Sequence, residues 1–109
     1  MPGTYYNDDD LTFQWDDEKE KINIEKHGID FATASHVFND IFRIEWQDMR
    51  HSAFENRYIT IGLVEQVLFV VYCDRYNDAT GNTDIRLISA RKANASEIRM
   101  YNDVVRGRK

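Results

Sequence analysis

The chain holds a single cysteine, no long apolar run and no metal-spaced histidines. The lone Cys73 excludes an internal disulfide and any cysteine-based metal cluster. It closes the apolar run Val67 to Cys73, where a free thiol behaves as a small buried hydrophobe. No apolar stretch approaches the roughly 20 residues that a membrane helix needs. Asp8-Asp9-Asp10 stands where a signal peptide would carry positive charge and an apolar stretch. A soluble, cytoplasmic protein with no membrane association is expected. His27, His36 and His51 include no pair four apart, so no metal site is expected. There is no hydrolase triad, P-loop or dinucleotide fingerprint, so no cofactor is expected either. Repeats and low-complexity segments are also missing.

What is present fits one small domain of 109 residues, with 42% hydrophobic and 13% aromatic residues to build a modest core. The net charge of −5 taken alone argues against nucleic-acid binding. The charge is unevenly spread. Residues 1–20 carry seven acids and one Lys, whereas residues 86–109 carry seven Arg or Lys and two acids. A basic rear half can form a local anion-binding patch, or it can be ordinary surface asymmetry.

Residues 1–10 read as a flexible acidic lead-in without periodicity, and 11–109 as the folded domain. Leu11 to Trp15 alternates as a short strand does. Asp16 suits the cap of a helix that ends at Lys26-His27-Gly28, with acids at its start, bases at its end and a left-handed stop. That helix has little apolar surface beyond Ile22 and Ile24 and should lie outside. Asp30 suits the cap of a second helix with Phe31, Ala34, Ser35 and Phe38 on one face, ending near Asn39-Asp40. Strands follow at Ile41 to Trp46, Arg57 to Gly62, Val67 to Cys73 and Ile85 to Ala90, with a polar turn at Asp48 to Ser52 and a loop around Gly81. The Val67 to Cys73 strand is expected to be buried on both faces. Asn94 and Glu97 form a capping box for a last helix with Ile98, Tyr101 and Val105 on one stripe. The order is β-α-α-β-β-β-β-α, an α+β fold with the last four strands antiparallel.

The polar residues suit metal-free cleavage of a phosphodiester. That chemistry needs a base for the 2′-hydroxyl, an acid for the leaving oxygen and cations for the phosphate. His27 is a candidate acid or base, the role an imidazole can fill near neutral pH. Glu55 is a candidate base. Arg57, Arg86 and Arg91 are candidates to grip phosphate in a guanidinium fork. Lys26 and Lys92 add charge, and Tyr72 is a candidate to stack on a base. Each has a plainer reading. Lys26 and His27 complement a helix end. Glu55 and Arg57 share a strand face as an ion pair. Arg86, Arg91 and Lys92 fit a solvated surface, and Tyr101 fits the core.

Two signatures go further. Trp15-Asp16, Lys19, Asn23, Lys26-His27-Gly28, Phe31, Ala34, Phe38 and Asp40 resemble the first half of the BrnT family. Glu55, Arg57 and Ile61-Gly62 resemble its middle. Ile85-Arg86, Ile88-Ser89-Ala90-Arg91-Lys92-Ala93, Glu97 and Tyr101 resemble its C-terminal signature. Asp17 and Ile41 stand where the family often has proline.

The resemblance implies a RelE-like fold, with helices on a twisted antiparallel sheet. It implies the toxin half of a type II toxin–antitoxin pair, a ribonuclease that blocks translation. The implied partners are RNA, a BrnA-like ribbon-helix-helix antitoxin, and operator DNA only through that antitoxin, and a dimeric assembly fits the same family. The matched polar set is Lys26, His27, Glu55, Arg57, Arg86, Arg91 and Lys92. The competing expectation is a non-catalytic interaction domain that assists a DNA-binding partner.

Overall fold

In a computed structural model, which describes residues 3–8, 11–51 and 55–107, the local signals settle the helices. Helix α1 (Asp17–His27) starts where the Asp16 carboxylate accepts from the backbone N–H groups of Glu18 and Lys19. It stops at Gly28, whose φ of 70° is the left-handed conformation that glycine adopts without a Cβ penalty. Helix α2 (Phe31–Ser35) is capped by Asp30 onto the Thr33 N–H at 2.6 Å, and runs into a tighter turn over His36–Asn39. Helix α3 (Ala95–Gly107) opens on a reciprocal capping box. The Glu97 N–H donates to Asn94 Oδ1 and the Asn94 N–H donates to Glu97 Oε1.

Among the described residues six strands form one sheet: β1 (Gly3–Asp8), β2 (Leu11–Asp16), β3 (Ile44–Gln47), β4 (Arg57–Val64), β5 (Gln66–Asn77) and β6 (Asn82–Lys92), in the spatial order β1-β2-β6-β5-β4-β3. β3 to β6 form the expected antiparallel run. The architecture is α+β. Four expectations are corrected. The sheet is mixed rather than antiparallel, because β2 lies parallel to β6 through Phe13↔Ile85 and Gln14↔Arg86. Residues 3–8 of the lead-in form β1, paired antiparallel with β2. Backbone pairing along an open strand edge needs no side-chain periodicity, so the pattern gave no warning of it. Of the rest of that segment, residues 1, 2, 9 and 10 lie outside the described residues. So does Ser52, the end of the expected polar turn; a short 3-10 turn occupies Met49–His51.

The third correction concerns β5. Leu68, Val70 and Tyr72 enter the main core with Phe13, Trp15, Phe31, Phe38 and Leu87. Phe69 and Val71 on the opposite face are only half-buried. The sheet is therefore covered by α2 and its following turn on one face, and is partly open on the other. Gly62 permits the close approach on the covered face, since a Cβ there would lie 3.2 Å from Val37. β3 starts at Ile44 rather than Ile41 because Asp40 holds the preceding chain in a turn. Its carboxylate accepts from the N–H groups of Phe42 and Leu63 and from the Tyr101 hydroxyl. On α3, Tyr101 is buried as expected, while Ile98 stays exposed.

Candidate active site

Helix α1 attaches to the sheet through a polar group. Ile22 and Ile24 are exposed, as expected, whereas Asn23 between them is buried. β2 accompanies β6 for only two residue pairs, which leaves the β6 edge near Ala90 without a strand. The Asn23 amide fills that place. Its Nδ2 donates to Ala90 O and Ile29 O, both at 2.9 Å, and its Oδ1 accepts from the Ala90 N–H at 3.0 Å. One side chain thus replaces a strand's donor and acceptor. Lys26 and His27, three and four residues on, lie on the same side of the helix. With Lys19 they line a cleft of about 170 Å³ whose sheet wall is Ile88 and Ser89.

Those two residues also wall a second, larger cleft. The β5–β6 register jumps from Val71↔Ser89 to Tyr72↔Leu87, so Ile88 is an extra residue in a β-bulge. Beyond it an open groove of about 630 Å³ has Ile59, Phe69 and Val71 as its floor and Trp46, Arg50 and Arg57 at its rim. The sheet register orders this face. Trp46, Ile59, Val71 and Ser89 form one row across four strands. Arg57, Cys73 and Arg86 form the next row, roughly 7 Å along the strands.

The arginine row carries two of the candidate cations, Arg57 and Arg86. Arg57 Nε donates to Glu55 Oε1 at 3.2 Å; the Cys73 thiol and Arg75 Nη2 both sit 3.6 Å from Glu55 Oε2. Burial alone would raise the Glu55 pKa. The hydrogen bonds from Arg57 and Cys73 and the charges of Arg57 and Arg75 outweigh it and lower the value. Glu55 is therefore held as a carboxylate against Arg57. Burial, then the Glu55 charge, pushes the Cys73 thiol up, which keeps it neutral and inert. Arg86 Nη1 donates to Gln14 Oε1 at 3.2 Å, and Gln14 in turn donates to the buried Asp84.

Two candidates are placed elsewhere. Tyr72 is a core residue rather than an exposed stacking platform. Its ring stacks on Tyr58 and meets Phe38 edge-on, and its hydroxyl donates to Glu45. Arg91 is committed to structure. Its guanidinium forms a bidentate pair with Glu97 at 2.8 and 2.9 Å and lies 3.9 Å over the Phe69 ring. Arg91 lowers the Glu97 pKa in return. Lys92 is exposed at the end of β6, opposite Leu68. The structure therefore brings His27 and Lys26 to one side of the Ile88–Ser89 bulge and Arg57 to the other, with Arg86 in the same row as Arg57. Sequence reasoning missed Asn23, Trp46, Ser89 and Arg75 as parts of this surface. Asn23 had a signal, a polar residue between the only two isoleucines of its helix. Among the described residues no three His, Cys, Asp or Glu side chains gather as a metal cage.

A family model described as "Ribonuclease toxin, BrnT, of type II toxin-antitoxin system" matches residues 15–97. The chain belongs to the BrnT family. The match begins at the buried Trp15 and ends at Glu97, the partner of Arg91, so it contains both clefts and leaves out β1 and most of α3. No curated protein sequence matches the chain. Membership of a ribonuclease toxin family of type II toxin–antitoxin systems carries an RNA target and an antitoxin partner with it. Among the described residues, no helix is long and apolar enough to cross a membrane.

Proposed function

We propose that this BrnT-family chain is a metal-independent endoribonuclease that cleaves RNA and thereby stops translation. The observation that carries the proposal is the shared wall at Ile88–Ser89, which has an imidazole on one side and an Arg57-rimmed groove on the other. His27 takes the proton from a 2′-hydroxyl as its oxygen attacks the adjacent phosphorus. The bond to the 5′-oxygen breaks, water protonates that oxygen, and a 2′,3′-cyclic phosphate remains. Arg57 and Arg86 hold the phosphate and offset the charge that builds on its oxygens. Glu55 is a positioning residue for Arg57, and Lys26 and Lys92 attract the RNA backbone. Arg91 drops out of the phosphate set because its fork is already filled by Glu97.

In the same proposal the fold is RelE-like and the protein is cytoplasmic. The antitoxin is a BrnA-like ribbon-helix-helix protein that covers this basic surface. It also brings the toxin to operator DNA, in an assembly with two toxin copies. Incubating the purified chain with single-stranded RNA and a metal chelator tests the chemistry. Cleavage that leaves cyclic phosphate ends, and falls about 100-fold or more in His27→Ala, is expected. Equal cleavage by His27→Ala would remove the imidazole from the mechanism. RNA left intact by the wild type would overturn the enzyme reading in favour of a non-catalytic interaction domain.

A further inference from the structure

The groove on the open face of the sheet has a shape and composition that proton transfer at His27 does not explain. Its central row, Trp46, Ile59, Val71 and Ser89, runs straight across four strands, a span of roughly 14 Å. One end is an indole that stays 39% exposed, unlike the other tryptophan, Trp15, which is buried at 3%. The middle is aliphatic, and the other end is a hydroxyl on the bulge shared with the His27 cleft. The rim carries two cations, Arg50 and Arg57. The segment that presents Trp46 is pinned to the Arg57 strand, with the Asp48 N–H donating to Arg57 O at 2.7 Å and the Arg50 N–H to Asp48 Oδ1 at 3.2 Å.

We infer that this groove is a nucleobase subsite, and that it restricts the substrate to single-stranded RNA. The inference rests on the ribonuclease reading above. An apolar floor with an exposed aromatic wall accepts the face of a flat ring, and cations at the rim accept the phosphates on either side of it. In a duplex the base faces are covered by their neighbours, so only an unpaired, unstacked base can enter. Arg57 belongs both to the groove rim and to the arginine row, which places the seated base next to the scissile phosphate. Stacking is tolerant of base identity, so Trp46 supplies affinity for any unpaired base. Ser89, at the far end of the row, is placed to meet a polar base edge.

Titration of the wild type and of Trp46→Ala with a short 2′-O-methyl RNA separates this site from the chemistry, because that RNA has no nucleophile and cannot be cut. Trp46 is the exposed indole, so its emission should be quenched as the single strand binds. A duplex of the same sequence should bind about tenfold or more weakly. Trp46→Ala should lose about tenfold or more in affinity for the single strand, and Trp46→Phe should recover most of it. Circular dichroism confirms that the variants are folded. If Trp46→Ala proves unfolded, the wild-type quenching and the single-strand preference still decide. Single strand and duplex bound equally, or no change in indole emission on RNA binding, would overturn the subsite while the cleavage assay leaves the ribonuclease reading intact. Emission that responds to the antitoxin and not to RNA would give the groove to the antitoxin and overturn the proposal as well. A wild type that neither binds nor cleaves any RNA would remove the ribonuclease reading itself.

Discussion

At the scale of single residues, the structure divides the arginines by what already holds them. Arg91 is clamped by both oxygens of Glu97 and stacked on Phe69, so its loss acts on stability. Arg91→Ala should lower stability by about 1–2 kcal/mol, since the pair is only partly buried. Thermal melting measures this, and Arg91→Lys should not restore it, because a lysine cannot make the fork. Cleavage below the new melting temperature should stay within a few fold of wild type. A loss as deep as that of Arg57→Ala would return Arg91 to the phosphate site. Glu55 is the second residue whose charge is already met, by Arg57 and Arg75. Its pKa is lowered chiefly by Arg57, against the opposing effect of burial, so it is ionised throughout the neutral range. Glu55→Gln should therefore leave the acid limb of the rate–pH profile where it is and cost only modest activity through a looser Arg57. A shift or loss of that limb would make Glu55 the base.

At the scale of elements, the critical join is α1 against β6. Helix α1 has almost no apolar face to bury, so its position depends on the three Asn23 hydrogen bonds. Asn23→Ala strands the N–H and C=O of Ala90 in a buried place, at about 1–3 kcal/mol for each group left unmet. Amide exchange at Ala90 should speed up with it, read by NMR, while the caps at Asp30 and Asn94 keep their protection. Asn23→Asp should not rescue the join, since a carboxylate accepts but does not donate. Unchanged protection at Ala90 would mean that the helix is held by something other than Asn23.

At the scale of the whole molecule, the perturbed carboxylates tie stability to pH. Asp40, Glu55 and Glu97 all have folded pKa values below their unfolded ones. Their stabilisation is fully present above the unfolded values, near pH 4, and is lost as pH falls through the lower folded values. Tyr101 works from the other end. Burial, and then the hydrogen bond to Asp40 and its charge, push the phenol up to about 12. Its contribution is present below about pH 10, the unfolded value, and fades as pH rises towards 12. Urea unfolding midpoints should therefore be flat through neutrality and fall at both extremes. Tyr101→Phe should remove part of the alkaline fall and leave the contribution of Glu97 on the acid side. An alkaline limb unchanged by Tyr101→Phe would contradict the role given to that hydroxyl.

The sequence by itself determined whatever depends on a few neighbouring residues. The caps at Asp16, Asp30 and Asn94 and the stop at Gly28 were legible because each is closed by partners within four residues. Helix α2 and strands β4, β5 and β6 were legible because their apolar spacing is local too. Family membership was legible in the same way, as spacing along the chain. Only the tertiary structure decided which face of the sheet stays open, that Tyr72 faces the core and that Asn23 stands in for a strand. It also decided that the His27 cleft and the Arg57-rimmed groove share one wall, Ile88–Ser89. Each of these depends on strand register and on contacts between residues far apart in the chain, 67 positions for Asn23 and Ala90. A one-residue slip in register exchanges the two faces of a strand, and no local pattern records which slip was taken.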